Sequence, residues 1–179
     1  GATKDVNVRQ ALAYIVDTNK VAQAAMGAYG KPCYSDYGAA QKVYIDNKEW
    51  ADKNLNTYSF SIANANKALD KSDYKYEKDG KTPFDAKKAS KDYLRYNSKG
   101  EVLLISHLGS EKNTITDNIK LQLTKNAPQV GIKYEITVKD FETMLNIYYQ
   151  KQKAEVKYNV YNMASGFNEV PDPEADYHG

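Results

Sequence analysis

The run Glu101-Val102-Leu103-Leu104-Ile105-Ser106, bounded by Gly100 and Gly109, restricts what this chain can fold into more than any other segment. An apolar run of strand length without polar alternation suits a strand covered on both faces, the situation found in a parallel sheet. Beyond it, Ile115, Ile119 and Leu123 recur four residues apart, which predicts a helix that begins at Thr114 or Thr116 and ends between Asn126 and Gly131. Ile132, Tyr134, Ile136 and Val138 then alternate with Lys133, Glu135 and Thr137, the period of a second strand. Strand, helix, strand is a βαβ unit, whose crossover is almost always right-handed, and it sets the class as α/β.

The segments around this unit supply helices to cover it. Asp5 can cap a helix with Val8, Ala11, Leu12 and Ile15 on one stripe, leaving Arg9, Gln10 and Asp17 elsewhere. Asp17 or Thr18 can cap a second helix through Val21, Ala22, Ala25 and Met26, which Gly27 closes and Pro32 keeps from resuming. Ser61 can cap a third, from Ile62 to about Lys71, with Ile62, Ala65 and Leu69 facing inward. Asp140 can cap a fourth over residues 141–152, carrying Phe141, Met144, Leu145 and Tyr148, before a third strand at residues 158–163. Residues 33–57, rich in Tyr, Asp, Asn and Lys, read as an irregular excursion with one helical turn near Trp50, and long loops of this kind are often functional. Residues 75–99 are charged and turn-prone, reversing at Asp79-Gly80 and again between Asn97 and Gly100. The tail, residues 166–179, reads as a loop that stops without any sign of a domain ending.

Composition removes several function classes. Twenty-five basic against 23 acidic residues, a net charge of +2, gives no field strong enough to gather nucleic acid or an anionic membrane. No apolar run approaches the roughly 20 residues needed to cross a bilayer, and residues 1–7 contain no signal peptide. The start at Gly1-Ala2-Thr3 reads as a processed or engineered boundary, so a soluble fragment of something longer is expected. Its 179 residues fit a single domain or one lobe. The lone Cys33 excludes an internal disulfide and is expected as structural filler. His107 and His178 lie in no metal-ligand spacing, Cys33 has no neighbouring base, and Ser106-His107 and Ser110 form no nucleophile elbow. Gly27 and Gly30 belong to no phosphate loop. Neither an enzyme nor a metal or cofactor site is expected.

Val8-Arg9-Gln10-Ala11-Leu12 with Asp17 resembles a helix of the pattern "VRQAL…AID", and Gly27 to Pro32 a "G.G.P" loop. Asn64 to Asp70 is similar to an "A..LL" helix, Asn97 to Ile105 to a "dGk.l.l.i" strand entry, and Ile119 to Ile132 to "I...L...GI". Asp140-Phe141 looks like the acidic-Phe start of a further helix, and Tyr158 to Pro173 like "yD…w…..PDP". In this order and spacing the motifs resemble the extracellular solute-binding proteins of oligopeptide and dipeptide ABC transporters, family 5, with the type II periplasmic-binding fold. The resemblance implies that residues 1–179 form a single domain, part of the second, C-terminal lobe, with a central mixed sheet flanked by helices. It also implies a peptide ligand held in a cleft between lobes, ABC permease subunits as partners, and a first lobe supplied from elsewhere in the same chain. The expected location is the outer face of a Gram-positive cell membrane, reached only through a lipid anchor of the parent protein, or the periplasm.

In such receptors the loop after the strand at residues 158–163 faces ligand, which makes Ala164, Ser165, Gly166, Phe167, Asn168, Glu169 and Asp172 the candidates. Many relatives carry a tryptophan and then an aspartate there, the acid pairing with a peptide's amino terminus. Here Ser165 or Gly166 stands at the tryptophan position, the nearest acids are Glu169 and Asp172, and Asp172 doubles as a turn residue between Pro171 and Pro173. Sixteen tyrosines against four phenylalanines and one tryptophan bring in a second candidate: Trp50, with Tyr44 and Tyr58 nearby, can offer aromatic faces to ligand side chains or can simply pack. Arg9 reads as a solvated or salt-bridging helix residue. Two other functions fit the same residues: the family's fold carrying a dipeptide, nickel chelate or sugar, and a surface adhesive or interaction module.

Overall fold

The computed structural model describes residues 1–34, 37–149 and 157–163. It divides into two compact units, one of Gly1–Gly30 with Tyr58–Asn162 and another containing Lys31–Thr57.

The first unit is built on β1 (Leu104–Ser110), β2 (Lys133–Lys139) and the short β3 (Val160–Tyr161), in the order β2-β1-β3. Both neighbours run parallel to β1, in registers from Leu104 opposite Lys133 to Ser110 opposite Lys139, and with His107 opposite Val160. Helices lie on both faces, giving the α/β class. On one side, α1 (Val6–Ile15), α5 (Ile62–Leu69) and α6 (Thr114–Asn126) contribute Val8, Ala11, Ile15, Ala65, Leu69 and Leu123 to a core that contains Leu103, Ile105 and Ile132. On the other, α7 (Phe141–Tyr148) packs Met144 and Ile147 onto Leu108. A central strand between two helical layers has no solvated face, which is why its sequence lacks polar alternation.

The caps act as their chemistry requires. Asp5 accepts from the Asn7 amide at the start of α1, Asp17 from Lys20 in α2 (Thr18–Met26), Ser61 from Asn64 in α5, and Asp140 from Thr143 in α7. At α6 the cap is Asn113, whose Oδ1 accepts from the Ile115 and Thr116 amides at 2.9 and 3.1 Å, and the helix begins at Thr114, one of the two starts expected.

Two expectations about this unit are corrected. The strand expected at residues 101–106 lies at Leu104–Ser110, because Val102 bridges Tyr96 and the Leu103 amide bonds the Arg95 carbonyl at 2.8 Å. Gly109, expected as a boundary, is therefore inside the strand, and a Cβ there would sit 2.5 Å from Thr116 Cγ2. The third strand spans two residues where six were expected. The charged stretch 75–99 forms the expected turns, tied by bridges from Tyr76 to Pro83 and Tyr96, and it also sends Phe84 and Arg95 into the interior. Arg95 is fully buried: Nε donates to the Val130 carbonyl, Nη2 to Asn66 Oδ1, both at 3.0 Å, and Nη2 pairs with Asp70 at 2.8 Å. Its guanidinium lies 4.3 Å from the centre of the Phe84 ring.

In the second unit, residues 33–57 are more regular than their composition suggests. Two short helices, α3 (Lys42–Asp46) and α4 (Lys48–Asn54), follow one another through Asn47, where a single turn was expected.

Candidate functional site

The spacing that makes these two helices also makes a site. Val43 or Tyr44, Asn47, Ala51 and Leu55 recur three or four residues apart and so share one side of the pair. With Tyr34, Tyr37 and Trp50 they line a cavity of about 640 Å³. Trp50 remains 61% exposed while Ala51 is buried. Four of the helices' charged residues pair within their own helix: Lys42 meets Asp46 at 2.7 Å, and Lys48 meets Asp52. Among the described residues the lining holds no side chain ionised at neutral pH, and Nδ2 of Asn47 and of Asn54 donates back to the carbonyls of Val43 and Trp50. Such a surface can receive a flat or bulky uncharged group by burying apolar area.

Trp50 and Tyr44 are thus brought together as expected. Tyr58 belongs to the first unit, where its ring meets Tyr14 edge-on with centroids 5.0 Å apart. Cys33 is exposed, not filler, and its Sγ donates to the Tyr37 carbonyl at 2.9 Å. Arg9 is neither simply solvated nor salt-bridged: its Nη1 donates to the carbonyls of Thr3 and Lys4, at 2.9 and 3.0 Å. Ala164, Ser165, Gly166, Phe167, Asn168, Glu169 and Asp172 lie outside the described residues.

The strand leading to that loop is anchored by a chain of buried polar groups absent from the expectations. The imidazole of His107, in β1, is fully buried between the Tyr134 hydroxyl of β2 at 2.7 Å from Nδ1 and Asn162 Oδ1 at 2.8 Å from Nε2. Because the amide oxygen only accepts, Nε2 carries the proton and Nδ1 accepts from Tyr134. Asn162 Nδ2 donates in turn to Thr116 Oγ1 at 2.9 Å, in the first turn of α6. Burial pulls the His107 imidazole below its usual range and pushes the Tyr134 phenol well above its own, which keeps both neutral. A second asparagine, Asn159, accepts from the Ser106 amide at 3.0 Å. The sequence signal for this chain was present in the polar residues Ser106, His107 and Ser110 standing within an apolar run. Among the described residues, no group of three or more His, Cys, Asp or Glu side chains is arranged to hold a metal ion.

A family model described as bacterial extracellular solute-binding proteins, family 5 Middle, matches residues 1–179. No curated protein matches. Among solved structures, the fold is similar to the oligopeptide-binding protein AppA from Bacillus subtilis in complex with a nonapeptide, with a TM-score of 0.68, 14% identity, and coverage of 97% of this chain and 30% of that one. It is similar to NikA from Brucella suis in complex with Fe(III)-EDTA, with a TM-score of 0.60, 19% identity, and coverage of 90% and 27%. The periplasmic oligopeptide-binding protein of an oligopeptide ABC transporter from Thermotoga maritima gives a TM-score of 0.61, 18% identity, and coverage of 87% and 26%. At these identities the likeness is one of fold. The chain spans less than a third of the length of each of these structures.

Proposed function

Because this chain belongs to the bacterial extracellular solute-binding proteins, family 5, we propose that it forms part of the C-terminal lobe of a receptor that captures extracellular oligopeptides for the permease of an ABC importer. The family is one of solute-binding proteins that work with ABC importers, not of enzymes, and it acts outside the cytoplasm. No helix among the described residues is long and apolar enough to cross a membrane. Attachment of the complete receptor through a lipid anchor, or residence in a periplasm, agrees with both facts.

The observation that carries the reading is the match of the family model to residues 1–179. Fold similarity over 97% of the chain to a protein holding a nonapeptide supports peptide as the cargo, and the uncharged aromatic cavity supports a ligand with varied side chains. In this reading the peptide lies between two lobes, its backbone hydrogen-bonded as an added strand and its side chains in hydrated pockets, and hinge closure buries it. In the same reading Ser165, Gly166, Phe167, Asn168, Glu169 and Asp172 are the residues proposed to contact the ligand.

The fold similarity to NikA holding Fe(III)-EDTA supports a metal chelate as the second reading. Mass spectrometry of small molecules released by acid from the complete receptor, purified without refolding, separates the two. Peptides of several residues are expected. A metal chelate or an oligosaccharide in their place would replace peptide as the cargo while leaving the family assignment intact.

A further inference from the structure

We infer that the cavity formed by α3 and α4 is a selective subsite for a bulky uncharged side chain, aromatic or branched aliphatic, of a bound peptide, with Trp50 as its specificity-determining residue. The inference rests on the peptide-receptor reading above and deepens it by naming a class of side chain.

Three observations lead to it. First, Tyr34, Tyr37, Tyr44 and Trp50 concentrate four aromatic rings around one opening, with Val43 and Leu55 completing the apolar wall. An exposed tryptophan beside a concave apolar wall leaves unsatisfied area that a matching group would cover. Second, the described lining residues are all uncharged although the two helices are rich in charge. Lys42 with Asp46 and Lys48 with Asp52 pair on the helix surface, and none of the described lining residues offers a counter-charge to a carboxylate. A carboxylate entering would lose water and gain no counter-charge from the described lining, whereas an uncharged side chain would gain by burial. Third, a volume of about 640 Å³ accommodates an indole or phenyl side chain with several waters, so size excludes none of the natural side chains and polarity becomes the sorting property.

The test uses the complete receptor and three nonapeptides that differ only at one central position, Ala, Phe or Asp, with binding measured by calorimetry. The wild type is expected to bind the Phe peptide about ten-fold more tightly than the Ala peptide, and the Asp peptide no better than Ala. Trp50→Ala is expected to remove the Phe preference while leaving affinity for the Ala peptide within about two-fold, and Trp50→Phe to retain most of the preference. Trp50 is more than half exposed, so neither substitution opens a core. Equal affinity of the wild type for all three peptides, or a Phe preference that survives Trp50→Ala, overturns the subsite while the receptor remains a peptide receptor. Failure of the complete receptor to bind any of a pool of peptides randomised at every position removes the peptide reading itself, and the subsite with it.

Discussion

At the scale of single residues, the interior of the first unit depends on two polar side chains that sequence patterning passed over. Arg95 lies in a turn-rich, charged stretch where an exposed cation is the default expectation, yet it is fully buried and holds Val130, Asn66 and Asp70 together. Desolvation draws its guanidinium below the usual arginine range, with Asp70 opposing the shift, and the Phe84 face lies beneath it. Arg95→Met should therefore cost about 2 kcal/mol in urea denaturation, mostly from the orphaned Val130 carbonyl and Asn66 amide, because Asp70 is itself 58% exposed and stays hydrated. Arg95→Lys should recover little, since one ammonium cannot reproduce the planar fork. His107 leads to a pH prediction. Burial lowers its proton affinity in the folded protein and no charged group opposes that, whereas in the unfolded chain it titrates near about 6.5. Below that value the unfolded chain takes up a proton that the folded one refuses, so stability is complete above it and declines as the pH falls. Urea midpoints should decrease between pH 7.5 and 5.5, and His107→Gln should flatten that slope. Asp79 and Asp140, whose carboxyls are held low by Thr82 and Thr143, lose their contribution only at more acidic pH, outside this window. Identical slopes for the two proteins would refute the assignment to His107.

At the scale of elements, α6 approaches β1 tightly at Gly109. Gly109→Ala would place a methyl 2.5 Å from Thr116 Cγ2 and 3.2 Å from Asn162 Oδ1, an overpacking expected to cost about 1–3 kcal/mol. Thr116→Ser removes the nearer of those atoms and keeps the hydroxyl that Asn162 needs, so the double variant should recover part of the loss. Additive costs in a double-mutant cycle would show that helix and strand are not in conflict there. At α5, Ser61→Ala should cost about 1 kcal/mol by freeing the Asn64 amide, readable as a lower thermal midpoint. Caps of this kind were legible in the sequence because a short polar side chain and the amides it accepts lie within four residues. The same locality explains Asp5, Asp17 and Asp140. The limits of β1 were not legible, because they depend on what Val102 and Leu103 pair with elsewhere and on a helix crossing at Gly109. The helices α3 and α4 were hidden by their tyrosines and asparagines, although the spacing of Val43, Asn47, Ala51 and Leu55 carries the helical period.

At the scale of the whole molecule, the order strand, helix, strand was enough to fix the α/β class, since parallel neighbours in one sheet require a crossover. The cavity and the buried polar chain were less legible. Trp50 and Tyr44 could be paired by proximity in sequence, but the polar chain from Tyr134 in β2 through His107 in β1 to Asn162, just past β3, could not. On the receptor reading proposed above, a chain spanning under a third of the length of these similar structures holds only part of a two-lobed site. The 179 residues alone are therefore expected to bind peptide weakly, with micromolar affinity in calorimetry as the result that would contradict a shared cleft. The cavity of α3 and α4 has a further property: every residue named in its lining lies within residues 34–55, whereas the sheet and its two helical layers are drawn from outside that interval. Selectivity written into one uninterrupted stretch can drift under selection while the scaffold stays put, and it can be exchanged like a cassette. Grafting the corresponding stretch of a related receptor into this one should transfer side-chain preference in a single cut, leaving β1 and its neighbours as they are.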